Sequence, residues 1–593
     1  MYQQRKFIKR LDLFPLAIVL FVFSSHCFAS GSDSTLYTNA QVYTLNPKQP
    51  WANSLLVEDG VILFVGDFKN IDPSKYSIKV DLSGRFVMPG FVDAHTHPGL
   101  VALLRGGING NGAAGPHFPS DSKESFFEAL KAFARSTEFK SAFDKNGIVI
   151  TGDWSVAHFL PEGPDKNDLD DIFGDAPVML MDDTGHSMWL NSAALSYFNI
   201  NKSSPDLSTD ISYFVRNKSG ELTGWVKEWA LMQEMLDEFI KANDNMNQNI
   251  KAFINFLSQH GVTTLFDAGT FKLHDRVYSF ISDLEKSNQL PLRYEGSYHI
   301  YSAGQIDIAI SELLKLRKLY GGKLLTFNTI KIHYDGIEEL GTAGMLEQYQ
   351  IDAPNRGGLL FDAERLSKFI LELEKAHLNL HFHAVGSRAI REILDAVELA
   401  KQLNGGILDQ HITISHVTFP DKTDLARFKE LGVTASYTPH WFGGNTAGGP
   451  SEMQLGKDRV SQRRPTNSLV KLGTNVTLSS DVISKGSHKR ANPFIGIEVS
   501  MTRRNFGWRK SPMIGQASEL LSLESAIAGY TLNGGIQLGR ASEIGSLKTS
   551  ARADFIVLPI NPFDVKVEFL HTLVPDIVIM GGNVVSGDIE TSQ

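Results

Sequence analysis

Eight short apolar runs, at 85–92, 262–267, 292–297, 329–334, 378–383, 412–417, 433–437 and 476–480, recur along the middle of the chain with helical stretches between them. Runs of that length bounded by turn residues read as buried strands, and intervals such as 363–376 and 387–402 carry apolar residues at three- and four-residue spacing. Eight strands alternating with helices predict an α/β fold, a (β/α)8 TIM-like barrel over 85–545; a doubly wound sheet is compatible with the same pattern. The gap between the first two strands is too long for one helix, so 104–250 reads as an insertion over the barrel mouth, with a strand of its own at 177–181. At the chain ends, strand-like runs at 36–44, 54–57 and 61–65, and at 553–558 and 576–580, are too few on either side to close a sheet. They predict one small β-sandwich domain built from both termini, 30–84 and 546–593.

The first 29 residues stand outside that fold. Arg5, Lys6, Lys9 and Arg10 precede an apolar run at 11–23, and Cys27-Phe28-Ala29 offers small residues at −3 and −1. This reads as a signal peptide cleaved near Ala29, too short to span a bilayer comfortably, and points to a periplasmic or secreted bacterial protein. The leader holds four basic residues and one acid, so its removal takes the net charge from −9 to −12. It also removes the single cysteine, so no disulfide framework is available or, at this length, required. An acidic chain argues against nucleic acid as a partner, and a composition of 42% hydrophobic and 21% charged residues excludes disorder and coiled coil.

The chemistry concentrates where the runs end. In Asp93-Ala94-His95-Thr96-His97, alternation along a strand points both imidazoles the same way, and two neighbouring imidazoles can bind one divalent ion. A second pair, His381 and His383, ends a later run; His416 ends the next and Asp481 follows the last. Barrel enzymes place their working groups at such C-terminal strand ends. Lys331 lies in an otherwise apolar run, Thr329-Ile330-Lys331-Ile332-His333. A buried ammonium is costly unless neutralised or paired. Carbamylation is one reason for it, pairing with Asp335 or reaching the barrel mouth another.

These residues, with Asp183-Thr184-Gly185-His186, Asn191-Ser192-Ala193-Ala194-Leu195, Gly261-Val262-Thr263-Thr264, His383-Ala384-Val385-Gly386, Gly545-Ser546-Leu547 and Ala553-Asp554-Phe555, resemble the amidohydrolase superfamily. The resemblance is to its amidohydrolase-3 type, the N-substituted formamide deformylase-like metal-dependent hydrolases, and runs from about 36 to 585. It implies that His95 and His97 bind one metal ion, that Lys331 as its carbamate bridges, and that His383 and His416 hold a second. Asp481 would bind metal and shuttle a proton, and His186 would position the substrate oxygen. His383 is preferred to His381 because it precedes the shared Ala-Val-Gly turn. Such ligands suit zinc first, as one or two ions.

The expected activity is hydrolysis of a non-peptide carbon–nitrogen bond in a small amide or formamide-like molecule. A cyclic amide, an ester or a small dipeptide could be cleaved on the same site, and a weakly catalytic periplasmic binding or regulatory protein is the rival from another class. The pattern leaves room for a homo-oligomer. Three positions depart from the subgroup: Ser387 and Ser415 replace acids, and Thr438 a glutamine. Gly110-Asn111-Gly112-Ala113-Ala114-Gly115 fits a dinucleotide motif by letters but lacks the strand before it and the helix after it. Asp183-Thr184-Gly185 occurs once and is no protease signature. Trp154, Trp225, Trp229 and Trp441 read first as packing, and Glu228 as solvated surface.

Overall fold

The computed structural model describes residues 34–589, apart from 104–117, 119–121, 209, 243–244, 444–448, 484–488 and 509. The expected leader and the glycine-rich stretch at 110–115 lie outside the described residues. Eight parallel strands pair in chain order: β1 Phe91–Thr96, β2 Val262–Asp267, β3 Arg293–Ile300, β4 Leu325–His333, β5 Asn379–Ala384, β6 Ile412–His416, β7 Thr434–Tyr437 and β8 Val476–Leu478. Every residue of β1, β2 and β3 is buried, as expected of parallel strands covered on both faces. Beyond β8 the chain closes on β1. Asp481 N–H donates to His95 C=O at 2.9 Å, and the Asp93 carboxylate accepts from Ser480 N–H at 2.9 Å and Ser480 Oγ at 2.5 Å.

The helices form where the spacing places them. Ala363–Lys375, whose N-cap Asp362 accepts from Arg365 N–H, buries Leu366, Phe369, Ile370 and Leu373; Ser387–Leu403 buries Ile390, Ile393, Leu394 and Val397. Each such side chain contributes roughly 1.5–3 kcal/mol when fully buried.

The expected first strand, 85–92, is divided between two sheets. Phe86–Pro89 pairs with Phe555–Leu558 and Gln41–Tyr43 in the terminal domain, whereas the barrel strand begins at Phe91. Pro89 has no N–H to continue a ladder. Gly90 N–H donates to Asp554 C=O and Phe91 N–H to Gly261 C=O, so the chain crosses between sheets there. A Cβ on Gly90 would lie 2.3 Å from the Thr263 side chain, so only glycine fits the crossing.

Both termini build the small domain. One sheet orders Val61–Gly66, Ser54–Glu58, Thr35–Thr38 and Ile78–Asp81; the other orders Asn583–Ser586, Ile577–Met580, Phe555–Leu558, Phe86–Pro89, Gln41–Tyr43 and Trp51–Ala52. Leu55, Val57, Val80, Val87, Phe555 and Ile577 share its core. Arg293 of β3 ties it to the barrel by donating to both Asp554 oxygens at 2.8 and 3.0 Å, a buried, bidentate pair whose acceptor also takes Gly581 N–H. After β1, the insertion forms a five-stranded sheet ordered Phe214–Arg216, Leu222–Lys227, Ser187–Leu190, Val178–Asp182 and Val149–Trp154. Trp154, Trp189 and Trp225 pack edge to face in its core. No helix among the described residues is long and apolar enough to cross a membrane.

Candidate active site

The C-terminal strand ends surround a cavity of about 60 Å³ that His95, His97, His186, Lys331, His383, His416 and Asp481 all line. His186, His383, His416, Trp441 and Asp481 also line a larger cavity of about 290 Å³ leading outward. Residues from β1, β4, β5, β6, the segment after β8 and the insertion therefore meet in one place.

Three of them converge closely. His95 Nε2 lies 3.2 Å from His97 Nε2, and Asp481 Oδ1 lies 3.6 and 3.4 Å from those two nitrogens. Three donors each about 2.1 Å from a common tetrahedral centre would stand about 3.4 Å apart. The second ring nitrogens set the tautomers. His97 Nδ1 donates to Gly269 C=O at 3.0 Å, leaving the Nε2 lone pair free. His95 Nδ1 lies 3.0 Å from His381 Nε2, which can accept its proton. Burial, reinforced by Lys331 nearby, holds the His95 imidazole well below its usual range and so neutral. Burial would raise the Asp481 carboxyl, but the hydrogen bond from Trp441 and the His97 and His416 rings beside it hold it below its usual range.

The second group is looser. His383 and His416 have ring centroids 4.4 Å apart, and His416 Nδ1 is 3.8 Å from Asp481 Oδ2. Burial brings His416 down to about 3. Lys331, 2% exposed, falls to about 7 through burial, against the opposing pull of Asp481. Asp335 is not its partner: that carboxylate accepts backbone N–H from Gly344, Val385 and Gly386.

His383 reaches the cavity, while His381, two residues earlier on the same strand face, lies beneath it against His95. Replacing His381 with leucine removes the acceptor that fixes the His95 tautomer, and is expected to weaken metal binding about 10- to 100-fold with the fold intact. Chelator competition would measure this, and unchanged affinity would show that His95 needs no such support.

Three further residues complete the site. His333 follows Lys331 by two, which puts it on the same strand face, and it stacks on His383 at 4.1 Å. Strand alternation alone would have found it. His299 was missed because β3 runs on to Ile300, past the expected end at 297; neither of its buried ring nitrogens has a hydrogen-bond partner among the described residues. Glu228, expected on the surface, is buried and accepts from His186 Nδ1 at 2.7 Å. Burial opposes a charged His186, but the Glu228 carboxylate prevails and lifts it to about 9.

His186 stands on a turn that Asp182 shapes by accepting from Thr184 Oγ1 and Ser187 N–H at 2.5 and 2.9 Å. The Asp183-Thr184-Gly185 triplet is that turn. Trp441 donates to Asp481 Oδ2 at 3.2 Å, and Trp229 stacks on Phe271 at 4.6 Å beside the cavity, so these two tryptophans belong to the site. Of the three departures, Ser415 Oγ donates to Phe382 C=O and Ser387 Oγ accepts from Leu346 N–H, whereas Thr438 lines the larger cavity. Positive φ at Glu228 (67°), His416 (71°), Val417 (41°) and Asp481 (45°) concentrates backbone strain around the cavity.

The profile of the Amidohydrolase family matches residues 79–586. The exoenzymes regulatory protein AepA of Pectobacterium carotovorum subsp. carotovorum is 29% identical over 438 residues, covering 72% of this chain and 88% of that protein. N-substituted formamide deformylase of Arthrobacter pascens is 23% identical over 540 residues, 89% of this chain and 93% of that one. Among solved structures, an uncharacterized metal-dependent hydrolase from Pyrococcus horikoshii ot3 superposes with a TM-score of 0.61 at 21% identity, over 90% of this chain and 99% of that one. That likeness speaks to the shared barrel fold.

Proposed function

The chain belongs to the amidohydrolase family, and from that premise we propose that it hydrolyses a non-peptide carbon–nitrogen bond in a small amide or formamide-like substrate, outside the cytoplasm of a bacterium. The observation that carries this reading is the convergence of His95 Nε2, His97 Nε2 and Asp481 Oδ1 at separations of 3.2–3.6 Å, with both imidazoles able to present lone pairs inward. The donor chemistry fits a divalent ion, zinc by preference. His95, His97 and Asp481 would hold one ion, His383 and His416 a second, and Lys331 would join them. A buried Lys331 amine brought down to about 7 is neutral in part, and in that form can attack carbon dioxide, forming the N–C bond and releasing its proton, to become a carbamate. When bound, such ions lower the pKa of a water towards about 7 and polarise a carbonyl.

The chain's own residues do the rest. The ionised Asp481 takes a proton from the attacking water and delivers it to the leaving nitrogen. His186 donates from its free ring nitrogen to the substrate oxygen. Trp441 holds the second Asp481 oxygen, so the first keeps its orientation towards the two imidazoles. The larger cavity, with Ile337, Val385, Trp441 and Pro450 beside Glu338, Glu339 and Arg464, would take the remainder of a small molecule.

The test is metal content per chain on protein purified without chelators, followed by turnover of a panel of amides, cyclic amides, esters and dipeptides. About two equivalents with amide turnover is the expected result. The likeness to AepA, named a regulatory protein, keeps a binding role as the second reading; failure to take up metal on remetallation would favour it.

A further inference from the structure

Glu228 precedes the short helix Trp229–Met232 with φ 67° and ψ 155°, a region of backbone space essentially reserved for glycine. It is also 1% exposed, so the chain keeps a buried carboxylate on strained backbone. The backbone is pinned on both sides: Glu228 N–H donates to His186 C=O at 2.8 Å, and Ser212 Oγ donates to Glu228 C=O at 3.2 Å.

The side-chain bonds differ in how replaceable they are. Oε1 accepts from Thr342 Oγ1 at 2.6 Å and from Ile337 N–H at 3.2 Å. Both donors have a second partner, because Ile337 N–H also reaches Thr342 Oγ1 at 3.0 Å and the Thr342 hydroxyl can turn to Ile337 C=O at 3.1 Å. Oε2 accepts from His186 Nδ1 at 2.7 Å, and Nδ1 has no other acceptor among the described residues. The bond that only Glu228 can make is therefore the one to His186. His333 Nε2 also stands 3.8 Å from Oε2, beyond hydrogen-bond reach. Strain and a buried charge kept for so few contacts are characteristic of functional sites rather than of stability.

We propose that Glu228 is a positioning residue: it holds His186 with Nδ1 protonated against the wall, so that Nε2 faces the cavity and the substrate oxygen. The role of the substrate oxygen rests on the amide-hydrolysis reading; the ring orientation does not. Glu228 and His186 stand side by side at the paired ends of the insertion strands Leu222–Lys227 and Ser187–Leu190, and Glu228 is braced by Ile337 and Thr342 from the segment after β4. It thereby couples the insertion to the barrel at the site itself.

The test compares the metal-loaded Glu228→Gly, Glu228→Gln and His186→Asn variants with the double variant Glu228→Gly/His186→Asn. Glu228→Gly removes the carboxylate and relaxes the backbone. It is expected to unfold at no lower urea concentration than the wild type and to retain its metal, while kcat on the amide substrate falls about a hundredfold. His186→Asn should lose a similar amount, with the double variant no worse, because one residue acts through the other. A purely structural Glu228 would instead lower the urea midpoint and leave kcat alone. Histidine-ring ¹⁵N spectra give a reading free of turnover. The ring signal that disappears in His186→Asn should report protonated Nδ1 in the wild type and in Glu228→Gln, whose amide oxygen can still accept from it, and lose that assignment in Glu228→Gly. If no amide is hydrolysed by the wild type, the substrate reading fails and the spectra still decide the positioning. Losses that multiply, an unchanged ring signal, or loss of one metal equivalent in Glu228→Gly, which would make His186, Glu228 and His333 a metal site, would each overturn the proposal.

Discussion

Asp481→Asn is expected to reduce turnover by about 10³–10⁴-fold while the bound metal stays close to the wild-type level. Asparagine keeps the shape of the side chain and one carbonyl oxygen, which can still accept from Trp441 Nε1, now 3.2 Å from Oδ2. The backbone bond from Asp481 N–H to His95 C=O, which helps close the barrel, is untouched. What the amide cannot do is take up a proton from water and release it to nitrogen. The native carboxylate is ionised, and so able to accept a proton, because its hydrogen bonding holds it below its usual range against the opposing effect of burial. Metal analysis beside kcat separates the outcomes. Activity within a few-fold of the wild type would remove Asp481 from the proton path, and loss of metal would make it chiefly a ligand.

Lys331→Ala should lower metal content from about two equivalents to about one, with activity falling at least about a hundredfold and recovering in part when a short carboxylic acid is added. The argument begins with burial. Lys331 is 2% exposed and Asp335, the alternative partner, is engaged by three backbone N–H groups, so burial brings the amine down to about 7. A neutral lysine beside His95, His383 and Asp481 contributes little as an amine; as a carbamate it supplies two oxygens and the negative charge that a pair of cations needs. Alanine leaves space in the wall of the small cavity that acetate or propionate can enter. Full metal and full activity in this variant would mean that the site needs no bridge from Lys331.

Much of the barrel was legible because its signal is local. Strand alternation put His95 with His97 on a common face, and the apolar runs marked where eight strands would lie; the same alternation pairs His333 with Lys331, a step the sequence reading did not take. The chain also carries its family likeness along nearly its whole length, so the proposed ligands could be named residue by residue. Three features were not legible. The 85–92 run is continuous in sequence but serves two sheets, because Asp554 and Gly261 take the N–H groups on either side of the crossing at Gly90. His381 and His383 are equivalent by alternation; the family likeness favoured His383 for the site, but only the depth of β5 in the barrel places His381 beneath His95.

Glu228 is the clearest case. Nothing near it in sequence distinguishes it from a solvated glutamate, and its burial depends on His186, Ile337 and Thr342, 42 to 114 positions away. Periodicity and turn chemistry act over a few residues, so which segments become strands and which polar residues end them can be read locally. Which of those residues lose their water, which nitrogen of each imidazole faces inward, and which carboxylate stands behind His186 cannot. Those properties depend on partners brought in from distant parts of the chain.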